Sequence, residues 1–197
     1  MIRASYGAIV EGEYDVGVFE ELFRKICPYP VEVSVKGIGG KTRLMPRFPR
    51  WLRMFEHCTT SGGAVDRALV IRDANGEPVA AVEARMRAKI AGLTYDFRHG
   101  VEVHAVKQET ETWLLADAVA IGRVAGRAAR STPGPLEDVQ HPKEVFMDVL
   151  NDVGLRYTPE VCRRIAREID LGTLRHECPS FVLFEQKVRL VSLLTGH

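Results

Sequence analysis

Long hydrophobic runs are missing from this chain of 197 residues. No stretch approaches the ~18 consecutive apolar residues of a membrane helix, and the N-terminus lacks a signal-peptide pattern. These absences argue against a membrane partner and make the cytoplasm the expected location. A dominant charge is lacking too: 27 Lys and Arg stand against 26 Asp and Glu, a formal net charge of +1. Bulk electrostatics therefore select no partner, and any basic surface has to be local. Cysteine is sparse. Cys27, Cys58, Cys162 and Cys178 form no CxxC pair, so reduced and largely buried thiols are expected. His57-Cys58 and His176-Glu177-Cys178 have no partner pair at zinc-finger spacing. Internal repeats, low-complexity segments and flexible linkers are absent as well.

What is present is a globular core. Hydrophobic residues make up 46% of the chain, enough for one domain with a substantial interior. Residues 3–10 read as a strand, and Val18, Phe19, Leu22, Phe23 and Ile26 then recur at helical spacing until Pro28 and Pro30 close the helix. Residues 31–36 alternate as a second strand. A Gly-rich turn and a helix through about residue 58 follow, with an interruption expected near Pro46 and Pro49. Residues 67–72 and 101–106 supply two further strands around a helix marked by Val79, Val82, Met86, Ile90 and Leu93.

The order βαβαβαβ predicts a mainly parallel sheet covered by helices. From residue 108 onward the pattern is helical only, at 109–127, 142–152, 159–169 and 180–194. The expected organisation is an α/β domain over 1–120 with an all-helical extension over 121–197 packed on it. Trp113, Leu114 and Leu115 are core candidates, and Ser180 is a candidate helix cap.

Two stretches carry chemistry, AIVEGEYD (8–15) and ALVIRDANGE (68–77). Each is an apolar run that ends in acid beside glycine, directly before a helix. Neighbouring parallel strands end on the same edge of an open sheet, so Glu11 and Asp73 are expected to meet at one crevice. Converging carboxylates repel, and a hard divalent cation with oxygen ligands relieves the repulsion. The expected cation is Mg²⁺ or Mn²⁺, held by Glu11, Asp73 and Asn75. Asp15, one turn beyond Glu11, is placed to orient Glu11 or a bound water.

VKGIGGKT (35–42) comes close to a phosphate-binding P-loop, but Val35 stands where the first glycine is required. The Gly-Gly-Lys-Thr turn can still meet a nucleic-acid phosphate through backbone N–H groups, with Lys41 and Arg43 beside it. Arg43, Arg47, Arg50 and Arg53 recur at three- and four-residue steps near Trp51, either a phosphate-binding stripe or a solvated arginine face. Arg123, Arg127 and Arg130 repeat that choice. Lys107, beyond the fourth strand, is placed to neutralise a phosphate oxygen.

Glu11-Gly12 after an apolar strand, followed by the acidic turn Asp73-Ala74-Asn75, resembles the Toprim domain of topoisomerases, primases and overcoming-lysogenisation-type nucleases, over roughly residues 1–120. ETETWLLAD (109–117), the helix start at His141-Pro142-Lys143 and Cys178-Pro179-Ser180-Phe181 look like a small stand-alone bacterial branch of that superfamily. The resemblance implies Mg²⁺- or Mn²⁺-dependent cleavage of a DNA or RNA phosphodiester, with Glu11 and Asp73 as ligands and catalytic acids. It implies a late acidic residue at Glu111, with Glu109 as the alternative. It further implies a partner ATPase of the ABC or SMC type in a phage-defence setting. Asn75 departs from the pattern, because an amide replaces the second aspartate and removes one charge. That departure supports a second reading, a degenerate module that binds a protein or nucleic acid without cutting. No tyrosine has surroundings that mark it as a topoisomerase nucleophile.

Overall fold

A computed structural model describes residues 4–60 and 62–194, with backbone only at Lys41 and at 190–194. The strands are β1 (Ser5–Val10), β2 (Glu32–Gly37), β3 (Arg67–Asp73) and β4 (Val101–Val106). They form one sheet in the order β2-β1-β3-β4, and every pairing is parallel. The helices interleaved with them are α1 (Glu13–Ile26), α2 (Lys41–Phe55) and α3 (Val79–Ile90). The C-terminal region adds α4 (Thr110–Leu115), α5 (Ala118–Ala125), α6 (Pro142–Asp152), α7 (Pro159–Glu168), α8 (Leu171–Glu177) and α9 (Phe181–Leu194), with a 3-10 turn at Leu136–Asp138.

Strand alternation sorts the core into two layers. Tyr6, Ala8, Val10, Leu69 and Ile71 face α1 and the C-terminal helices, in a cluster that runs on to Phe184 and Val188. Ile9, Ala68, Val70, Val103 and Ala105 face α2 and α3, where they meet Leu44, Phe48, Leu52 and Phe55. The extension past residue 120 thus shares one core with α1. Tyr6 Oη donates to the carbonyl of Val188 at 2.8 Å, tying α9 to the central strand. Lys187 Nζ, at 2.7 Å from the Val103 carbonyl, and Glu83, which accepts from Ala105 N at 3.2 Å, occupy polar groups along β4.

Some local expectations are corrected. Pro46 and Pro49 lie inside a continuous α2 rather than interrupting it. Each lacks an N–H, a cost of about 3 kcal/mol in an isolated helix, and the buried Leu44–Phe55 face offsets it. The helical pattern at 109–127 is two helices, because Asp117 stops the first. Its carboxylate accepts from Ala120 N and from Asp170 N, both at 2.9 Å, starting α5 and anchoring the turn into α8. Helix α8 was not expected at all. Ser180 does not cap through its side chain; its N–H donates to Glu137 at 2.8 Å.

Candidate functional site

Register places the ends of β1 and β3 side by side. Tyr6 pairs with Arg67 and Ile9 with Val70, which continues to Glu11 beside Arg72 and Gly12 beside Asp73. The alternation that sorts the core turns Asp73, with Leu69 and Ile71, toward the α1 side. Glu11, just past the end of β1, meets Arg72, whose Nε lies 3.5 Å from Glu11 Oε1, and both side chains are largely buried. Arg72 is the cation that sequence reasoning missed. Its signal was a lone charge inside the apolar run ALVIRD.

Asp73 turns toward the start of α4, where the Thr110 hydroxyl donates to its Oδ1 at 3.2 Å. Asp15 stands next to it, at the N-terminal turn of α1. Its Oδ2 accepts the Gly12 N–H at 2.9 Å, and it also interacts with the Thr110 hydroxyl. Glu111, buried in α4, accepts the hydroxyl of Tyr157. Glu109 accepts the Lys143 N–H at 3.0 Å from the start of α6.

Asp15, Asp73 and Glu111 hold their protons more firmly than an ordinary carboxylate. Burial, then the neighbouring Glu111 and Glu11, pushes Asp15 up to about 7, against a donated Gly12 N–H that opposes the shift. Burial and then Asp15, Glu11, Glu111 and Glu109 push Asp73 well upward. Burial also raises Glu111, with the Tyr157 hydrogen bond pulling the other way. One rim therefore gathers Asp15, Asp73 and Glu111, with Glu11 and Glu109 at its margins.

The remaining expected residues fall elsewhere. Asn75 has a left-handed backbone (φ 50), and its Nδ2 donates to the Asp73 carbonyl at 3.1 Å, closing its own turn. Lys107 is paired with Asp138 at 3.2 Å and Glu137 at 3.6 Å. The Lys41 side chain lies outside the described residues. Arg43 is exposed in the first turns of α2, and the Gly40 N–H at that helix start donates to the Glu11 carbonyl at 2.6 Å.

A tyrosine does enter the rim. Tyr157 stacks on Tyr14 with ring centroids 4.4 Å apart, and Lys143 Nζ sits 5.2 Å from the Tyr157 ring. Burial and Glu111 raise the Tyr157 phenol above its usual value. A phenol that holds its proton this firmly is a poor nucleophile, so its visible role is to hold Glu111. Nothing local in the sequence joins position 157 to the rim.

The donor set is all oxygen, which suits a hard cation such as Mg²⁺ or Mn²⁺. Carboxylates whose proton affinity is raised by burial and by one another present the repulsion such an ion relieves. In the conformation described, each carboxylate rests on a protein neighbour. Among the described residues no group of three or more His, Cys, Asp and Glu is arranged to hold a metal. A cation would exchange the Gly12 and Thr110 contacts for its own.

A doubly covered parallel sheet with acids gathered at its strand ends makes the molecule an α/β protein with an acidic carboxyl edge. Within that class, the chain belongs to the DUF4276 family, a domain of unknown function, whose model matches residues 11–189. The match takes in Glu11, Asp73 and the C-terminal helices, but the family description names no activity and no tie to the Toprim superfamily. No curated protein and no solved structure matches the chain. Among the described residues no helix is long and apolar enough to cross a membrane.

Proposed function

We propose that the protein is a Mg²⁺- or Mn²⁺-dependent phosphodiester hydrolase acting on DNA or RNA at the β1/β3 rim. The observation that carries this reading is the crowding of Asp15, Asp73 and Glu111 at one strand-end edge, where two of the three aspartate and glutamate carboxyls are driven far toward the protonated form. A bound cation would polarise the scissile phosphate and stabilise charge on the leaving oxygen. Asp73 and Glu11 are the ligands in this reading, with Glu111 as the late acid of the set.

Asp15 is suited to proton transfer, because its affinity for a proton is matched to neutral pH. It takes the proton of the attacking water as the new P–O bond forms. The leaving oxygen departs with the electrons of the broken P–O bond and collects a proton from the same carboxyl or from solvent. The Toprim likeness of Glu11-Gly12 and Asp73-Ala74-Asn75 adds a partner ATPase of the ABC or SMC type and a role in phage defence, in the cytoplasm that the missing membrane span and signal pattern lead us to expect.

The test is nicking of plasmid DNA and degradation of RNA by purified protein with Mn²⁺. Activity is expected to disappear in Glu11→Gln and in Asp73→Asn, while both variants stay folded by circular dichroism. Activity that persists in both variants would end the hydrolase reading. One observation favours a second reading, binding without cleavage: Asn75 spends its amide on its own turn and Glu11 already faces Arg72. That reading predicts nucleic-acid binding with no cutting in any divalent cation.

A further inference from the structure

Helix α2, KTRLMPRFPRWLRMF, carries five cations, Lys41, Arg43, Arg47, Arg50 and Arg53, and no acid. The chain as a whole balances 27 basic residues against 26 acidic ones, so a helix with five cations and no acid is a local concentration of positive charge. Its buried face is Leu44, Phe48, Leu52 and Phe55, which leaves Arg43, Arg47 and Arg50 exposed on the outside. Arg53, at the far end, is occupied by Glu56 at 3.1 Å.

Lack of an ion pair together with grouping on one helix sets these arginines apart. Arg98, Arg127, Arg156 and Arg164 are also exposed and engaged by no salt bridge among the described residues, but they are scattered over separate segments. Arg24, Arg85, Arg87, Arg123, Arg130, Arg163, Arg167, Arg175 and Arg189 all make ion pairs on the surface. Among the described residues no salt bridge engages Arg43, Arg47 or Arg50. Steps of four and three residues put them on one stripe, rising about 6 and 4.5 Å along the axis. The stripe begins at the rim, since the Gly40 N–H at the head of α2 donates to the Glu11 carbonyl at 2.6 Å.

We infer that Arg43, Arg47 and Arg50 form a phosphate-binding track that leads a nucleic-acid backbone from the acidic rim along α2. The track rests on the reading of the rim as a phosphodiester site and supplies what the acids cannot, attraction for a polyanion. Three exposed guanidiniums at helical spacing bind phosphates without reading sequence. The recognised chemistry is the phosphodiester backbone itself, shared by DNA and RNA.

The experiment uses the full chain in EDTA, with fluorescence anisotropy on short duplex DNA and on single-stranded RNA over a salt series. The triple variant Arg43→Gln, Arg47→Gln, Arg50→Gln is compared with a control that loses three paired arginines, Arg85→Gln, Arg123→Gln, Arg130→Gln. The track variant is expected to lose at least tenfold in affinity, with the slope of log K against log salt falling by roughly three on duplex DNA. The control should stay near the wild type. Whichever polymer shows the larger slope change is the one the track engages. Equal losses in the two triple variants, or an unchanged slope in the track variant, would overturn the inference. Cleavage is read separately: binding through α2 without nicking would leave the track standing and remove the hydrolase reading. Nicking that ignores the track variant would do the reverse.

Discussion

Asp15→Asn should stabilise the cation-free protein above neutral pH, because it removes a charge that the folded rim resists. The folded state releases the Asp15 proton near about 7 and the ordinary value is 3.8. Between those two values the folded chain binds more protons than the unfolded chain, so stability falls as pH rises from about 4 to about 7. A gap of about three pKa units corresponds to about 4 kcal/mol at 1.36 kcal/mol per unit. Asp73 shares the repulsion, and part of the gain will show as easier ionisation of Asp73. A stabilisation of about 2–4 kcal/mol at pH about 8 is therefore expected. For a chain of this size that is roughly 5–15 °C in Tm. The asparagine Oδ1 still accepts the Gly12 N–H, so the helix start is retained.

The assay is thermal unfolding of both proteins in EDTA from about pH 5 to about pH 8. The difference between them matters, since other groups titrate in the same range. His104 is one: burial, then Lys187, lowers it to about 3. It contributes stability above its unfolded value near about 6.5 that is lost as pH falls, which is opposite in sign to Asp15. Subtracting the two melting curves cancels it. The Asn variant should gain little near pH 5 and most near pH 8. A gain of equal size at every pH, or a loss at pH 8, would refute the electrostatic account of the rim. Added Mn²⁺ should raise the Tm of the wild type near pH 8 and raise that of the variant less.

Mn²⁺ binding should release protons near neutral pH, and calorimetry in buffers of different ionisation enthalpy would count them; zero release would mean that the cation does not displace the rim protons. Arg72→Met should cost about 3 kcal/mol in denaturant unfolding, because it leaves Glu11 without its cation, and Glu11→Gln should recover part of that loss in the double variant. Gly7→Ala should cost about 1–3 kcal/mol, since a Cβ there would lie 2.6 Å from Phe55 Cγ; an unchanged midpoint would show that the α2 face yields. Tyr157→Phe removes the hydrogen bond that favours ionised Glu111, so the acidic limb of any cleavage pH profile should move upward while the Mn²⁺ requirement stays.

Much of the architecture was legible because it depends on local pattern. Alternation and apolar runs marked all four strands, and the βαβ order implied parallel pairing, which the sheet shows. What escaped depends on partners distant in the chain. Asp117 breaks a run of good helix formers by capping α5 and, at the same time, by holding the distant Asp170 N–H. Pro46 and Pro49 persist in α2 because the buried face outweighs two missing N–H groups, a balance that no local propensity contains. The site followed the same division. Glu11 and Asp73 were visible as acids at strand ends, whereas Thr110, Tyr157 and Arg72 acquire their roles only through packing.

Arg72 changes what the rim can be. Two acids at the ends of adjacent strands suggest one shared ion, and the Glu11 charge reaches Asp73, but Arg72 Nε already stands 3.5 Å from Glu11 Oε1. After burial, Asp73 is pressed most by Asp15 and then by Glu11, ahead of Glu111, which makes a trio of Asp73, Asp15 and Glu11. If a divalent ion binds, that trio is where the repulsion it relieves is greatest, and Asp15 should matter to affinity as much as Glu11 does. Comparing Mn²⁺ affinity of Asp15→Asn with that of Glu11→Gln decides it: a weaker effect of Asp15→Asn would return the centre of the site to the two strand ends.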